Sequence, residues 1–160
     1  MTIARIENGN VVEFRSMSID DVPEHKRHMW RPIEGDPPTH DIRIEVVTGP
    51  ELVIEPGRVV RQWTVQRRPD AEIAVLVKLE ARRRILERFP EWKQTNMTAR
   101  GVELQDVWRR VGSWTTGEQS EADALASAWG WIKAVRAASD VIEAMQPIPA
   151  DYADNSRWPA

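Results

Sequence analysis

The stretch RPDAEIAVLVKLEARRRILERF, residues 68–89, decides the fold, and FPEWKQTNM, residues 89–97, decides where the chain turns. Ile73, Val77, Ala81, Ile85 and Phe89 recur every four residues, with Leu76 and Leu86 beside them. That period places them on one face of an α-helix. Pro69 stands at a plausible first helical position, and Asp70 and Glu72 favour the positive N-terminal end. Pro90 stops or kinks the helix, because its ring lacks an N–H and disfavours helical geometry at Phe89. Pro90 therefore reads as a hinge, with Phe89 and Trp92 filling the corner and Lys93 and Gln94 outside it. On that reading a buried Trp92 would cost about 3–5 kcal/mol on truncation to alanine.

Two further helical patterns follow. Leu104, Val107, Trp108 and Val111 mark one. GSWTTGEQS interrupts it, with Thr116 or Ser120 as the cap of the next. There Ala122, Leu125, Trp129, Ile132, Val135, Ser139, Ile142 and Met145 recur at spacings of three or four, until Pro147. A helix of about 27 residues would be about 40 Å long and needs a neighbouring helix, in this chain or another. The final PIPADYADNSRWPA is too rich in proline for a helix and reads as an extended tail.

Upstream the period changes to two. IARIE and VVEF flank Asn8-Gly9, a pair that accepts positive φ at both centres of a two-residue hairpin turn. The implied register pairs Ile6 with Val11 and Ile3 with Phe14. Residues 16–40, holding Pro23, Pro32, Pro37 and Pro38, read as an irregular interaction loop that Met29 and Trp30 could pin to the core. DIRIEVV alternates, TGPE reads as a turn, LVI as a short strand, EPGR as a turn, and VVRQWTVQ alternates again, with Val59, Trp63 and Val65 on one face. The expected fold class is α+β. A small antiparallel β head spans 1–68, an amphipathic helical hairpin or two- to three-helix bundle spans 69–146, and the extended tail spans 147–160.

Composition bounds the function. A chain of 160 residues with 41% hydrophobic and 29% charged residues can bury a core. Without cysteine it has neither disulfides nor thiolate metal ligands. No apolar run reaches the roughly 20 residues of a membrane span, and MTIARIENGN has no apolar core of a signal peptide. His25, His28 and His40 lie in the irregular loop. His25 and His28 have a spacing that could hold a metal on a helix, but solvated loop histidines are the simpler reading. No GxSxG, P-loop or dinucleotide-binding glycine pattern occurs. The expectation is no catalytic site, no metal and no cofactor.

Two surfaces stand out. Arg82, Arg83, Arg84, Arg88 and Lys93 form a basic face that could meet phosphates. However, residues 117–160 hold seven acidic and three basic residues, and net charge is −3, so a basic helix beside an acidic one is the simpler account. Nucleic-acid binding is accordingly disfavoured. The chain also holds eight Trp against one Tyr and two Phe. These serve either core packing or subunit contact, where Trp is enriched. Trp92, Trp129, Trp131, Ile132 and Trp158 are the candidate interaction residues. Trp129 lies on the main stripe of its helix and Trp131 off it, so one of them must meet something other than the primary partner helix or stay exposed.

Three stretches, ARIENGNVVE, FPEWKQTNM and DNSRWPA, together resemble small proteins encoded in the tail-gene region of tailed bacteriophages and prophages. The resemblance implies a non-enzymatic virion protein, an oligomeric adaptor of the tail, baseplate or tail-fibre attachment region, with other phage structural proteins as partners and a homo-oligomeric state. It implies the host cytoplasm during assembly and the virion afterwards. A tail or fibre assembly chaperone and a small nucleic-acid-binding regulator are the alternatives.

Overall fold

Asn8 and Gly9 adopt φ of 51° and 76°, and the turn they form joins β1 (Thr2–Glu7) to β2 (Asn10–Ser16). The computed structural model describes residues 1–160. The chain divides into two units, Met1–Arg68 and Pro69–Ala160. Ile6 pairs with Val11 as the turn dictates. A register shift between Arg5 and Ile6 then moves Ile3 opposite Arg15 and Ala4 opposite Phe14, correcting the expected pairing of Ile3 with Phe14. The extra residue of a bulge re-aims every side chain beyond it.

The first unit is one curled sheet in the order β2-β1-β3-β5-β4, with β3 at Trp30–Glu34, β4 at Glu45–Glu55 and β5 at Arg58–Arg67. It is mixed rather than purely antiparallel, because Ile33 and Glu34 pair in parallel with Val59 and Val60. The cause is topological. Loop 35–44 carries the chain past the position of β5 to the sheet edge, where β4 runs. The Pro56-Gly57 turn then returns β5 into the gap beside β3, with Gly57 at φ 88°.

The loop expected over 16–40 is thus only partly irregular. Trp30–Glu34 is a strand, and two 3-10 segments, Ile19–Asp21 and Glu24–Met29, precede it. DIRIEVV is correspondingly shorter as a strand, since residues 42–44 form a turn before β4. TGPE does not separate two strands. It is a bulge between Thr48 and Glu51 inside the long β4.

A small apolar cluster packs on each face of this sheet. Ile3, Val22 and Trp30 pack with Met17, Ile19 and Met29 on one side. Ala4, Ile33 and Val59 pack with Ile6 and Val11 on the other. Gly35 leaves β3 at φ 99°, and a side-chain carbon there would stand 2.6 Å from the Arg61 carbonyl oxygen. Only glycine fits that close approach.

The second unit opens with α1 (Asp70–Arg88), which Pro69 precedes as its cap rather than as its first helical residue. The expected stripe is the buried one: Ile73, Val77, Ala81, Ile85 and Phe89. Phe89 leaves helical geometry at φ −132°, ψ 82°, and Pro90 at once caps α2 (Glu91–Val111). Gly112, at φ 75°, ends α2, its N–H donating to the Trp108 carbonyl. α3 runs from Thr116 to Glu143. Its cap is Thr115, not Thr116 or Ser120. Glu118 lies three residues after Thr115, so each side chain bonds the other's backbone N–H.

α3 is the common partner of the other two helices. Lys78 pairs with Glu143 at 3.3 Å, and the Phe89 and Trp131 rings lie 5.7 Å apart, so α1 runs antiparallel to the later part of α3. Arg100 holds Glu121 through two nitrogens at 2.9 and 2.8 Å, which fixes α2 against the earlier part. The buried line on α3 is Ile132, Val135, Ser139 and Ile142. The Ser139 hydroxyl donates to Glu143 at 2.8 Å, so the polar member of the line is satisfied.

The end of the chain corrects the expected extended tail. Residues 147–160 are non-helical apart from a 3-10 segment at Asn155–Arg157, but they are folded against the unit, with Ile148, Tyr152 and Trp158 buried. Prolines excluded a helix, whereas three large apolar side chains supplied area worth burying.

Trp92 is 66% exposed, so Phe89 and Trp131 fill the corner at Pro90 without it. Trp92→Ala should therefore shift unfolding free energy by no more than about 0.5 kcal/mol. Ile132→Ala, at a fully buried position, should cost about 2–5 kcal/mol. Urea titrations of the two variants check this, and a larger loss at Trp92 would mean the corner is packed differently.

Candidate protein-interaction surfaces

The five residues singled out for interaction separate once folded. Ile132 is fully buried and Trp158 is buried. Trp158 donates its Nε1–H to the Tyr152 carbonyl at 2.8 Å, and the Arg84 guanidinium lies 5.1 Å from its ring centre. Trp131 is half-buried. Phe89 covers it, Arg88 lies 4.6 Å over its ring, and its Nε1–H donates to the Ala160 carbonyl at 2.9 Å. The second neighbour that its off-stripe position demanded is thus found within the same chain. Trp129 is half-buried on α3, and Trp92 alone of the five projects into solvent.

The basic face is engaged in the same way. Arg82 pairs with Glu91, and Arg83 with Glu80 and Glu87. Arg84 pairs with Glu80 at 2.7 Å and donates to the Ala153 carbonyl at 2.7 Å. Arg88 sits over Trp131 and donates to the Ala160 carbonyl. Lys93 lies 5.1 Å over the Phe89 ring. Most of these cations serve the helical unit itself. Carboxylates three or four residues away on α1 neutralise part of the face, and α3 contributes Glu121 to Arg100 and Glu143 to Lys78.

His25 and His28 lie on the 3-10 segment Glu24–Met29 and His40 in the following loop. No group of three or more His, Asp or Glu side chains assembles with the spacing of a metal site.

What remains open was only partly visible in the sequence. On α2 the line Met97, Leu104, Trp108, Val111 has helical spacing, yet only Met97 and Leu104 are buried. Trp108 is 48% and Val111 68% exposed. The Trp114 ring, 5.0 Å from Trp108, closes the buried part by donating to the Leu104 carbonyl at 2.8 Å. Beyond it the stripe has no cover. In the first unit, Leu52, Val53, Ile54 and Val65 are open on β4 and β5, and Val12 and Phe14 on β2. Alternation marked these as strands, but could not show that no second layer covers them.

Arg83, followed by Arg84, holds the Glu80 carboxyl below its ordinary value of 4.5. Its share of stability is complete above that value and disappears as pH falls through the lowered one. The destabilisation caused by Glu80→Gln, about 1 kcal/mol at pH 7, should therefore shrink progressively as pH falls below 4.5 and through the lowered value. Thermal melts across that range test it, and a penalty that does not change with pH would exclude the ion-pair origin. No protein-family model, curated protein or solved structure matches the chain.

Proposed function

We propose that this chain is a non-enzymatic structural adaptor of a bacteriophage tail, baseplate or tail-fibre attachment region, acting as a homo-oligomer bound to other virion proteins. The observation that carries the adaptor reading is the open stripe of α2. A helix of 21 residues that buries only Met97 and Leu104 gains little from its own chain. Meanwhile it presents Trp108 and Val111 in line with the buried pair, and Trp92 and Val102 elsewhere on its surface. Large exposed apolar side chains of this kind mark association surfaces. Trp is the residue type that most often anchors one.

The phage setting rests on the three sequence stretches at 4–13, 89–97 and 154–160. An assembly chaperone would use the same surface transiently, in the host cytoplasm. A nucleic-acid regulator finds less support, because Arg82, Arg83 and Arg84 are each bound to a carboxylate of their own chain.

Light scattering on the full chain should give an oligomer, and Trp108→Glu or Val111→Glu should weaken its association at least about tenfold while leaving the helical circular dichroism intact. Mass spectrometry of purified particles should find the chain as a stoichiometric component. Presence in infected cells but not in particles would favour the chaperone. Absence from both, with a monomer in solution, would sink the adaptor reading.

A further inference from the structure

β4 lies at the edge of its sheet, hydrogen-bonded on one side to β5. An edge strand presents a row of unpaired N–H and C=O groups, and proteins usually blunt it with lysine, proline or a bulge. Here Pro50 and the bulge between Thr48 and Glu51 spoil only the first half. The second half, Glu51-Leu52-Val53-Ile54-Glu55, pairs regularly with Gln62-Arg61-Val60-Val59-Arg58. Its outer edge is bare.

Between Glu51 and Glu55 the side chains of this half are apolar and open. Leu52, Val53 and Ile54 are 37%, 38% and 38% exposed, on alternating faces of the ribbon. β4 holds Glu45, Glu51 and Glu55 and not one Lys or Arg. Glu55 is already held by Arg58, whose other partner is Glu34. Glu51 stands opposite the neutral Gln62. Beside Val53 and Glu55 a depression of about 400 Å³ is lined by Asp36, Arg61, Gln62 and Trp63 among others.

A second copy is a poor occupant of the whole 51–55 segment. Antiparallel pairing of two β4 edges about Val53 sets Glu51 opposite Glu55 twice, and a longer overlap sets Glu45 opposite Glu55. Like charges directly opposite one another destabilise a strand pair. We infer that the Glu51–Glu55 edge receives an extended segment of a partner protein as a sixth strand, and that this segment carries an apolar centre with a basic residue two positions to either side. Backbone hydrogen bonds supply affinity in such strand addition, and alternate side chains supply specificity. The apolar centre meets Val53, the basic residues meet Glu51 and Glu55, and the intervening positions are apolar to match Leu52 and Ile54.

This rests on the reading of the chain as an adaptor and names the chemistry of one partner. The test uses the full chain and two synthetic peptides, one with the core Lys-Val-Ile-Val-Lys and one with Glu-Val-Ile-Val-Glu, both flanked by threonines. The basic peptide should protect backbone amides within 51–55 from hydrogen exchange and bind roughly tenfold more tightly than the acidic one. Glu51→Lys, on the solvent-exposed ribbon, should erase or reverse that preference. No protection, protection confined to another strand, equal binding of the two peptides, or a self-associated chain with its own 51–55 amides protected would overturn the inference. A chain found in particles whose 51–55 amides ignore the basic peptide would leave the adaptor reading standing without this edge.

Discussion

The helical unit depends on one seam. Ile73, Val77, Ala81 and Ile85 of α1 supply one side of it, and Ile132, Val135, Ser139 and Ile142 of α3 the other. Each of the large aliphatic side chains is worth about 1.5–3 kcal/mol when removed from water, and the seam collects most of what the unit has. Phe89 and Trp131 seal the end at the Pro90 break, and Ile148, Tyr152 and Trp158 fold back as further buried apolar groups.

The break at Pro90 gives α3 two partners instead of one. A continuous helix from Asp70 to Val111 would be longer than α3 can cover. Interrupting it lets α1 and α2 take separate directions against the same 28-residue helix. α1 takes the larger share. α2 is left with ion pairs such as Arg100–Glu121 and a short buried stripe that ends at Trp114. Surface ion pairs orient helices more than they stabilise them. That imbalance explains why the exposed indoles of the unit lie on α2 rather than on the longer α3.

In the first unit the constraint is different. A sheet of five strands has two faces and two edges, and its buried residues are concentrated around β1, β3 and the start of β5. The 3-10 segments before β3 cover the Ile3 face. The far part of the β4–β5 ribbon gains only cross-strand pairs, such as Val53 with Val60 and Val47 with Val65. Two-stranded ribbons of this kind are marginal in water unless something packs on them. Open apolar residues on such a ribbon are a liability for a chain that works alone and an asset for one that assembles.

Local physics was enough to determine much of this from the sequence. Asn8-Gly9 specified a hairpin, the four-residue period of Ile73 to Phe89 specified a buried helical face, and Pro90 specified its end, because each is a property of neighbouring backbone atoms. Only the tertiary structure decided the rest. Whether β3 pairs in parallel with β5, whether Trp92 or Trp131 meets Phe89, and whether a proline-rich tail lies open or folds back all depend on which distant surfaces come together. Trp92 and Trp131 look alike in a sequence, since each is a large side chain on a helix. Their burial differs because the direction each takes from its helix axis leads one to solvent and the other to the α1 corner. No short-range pattern encodes that difference.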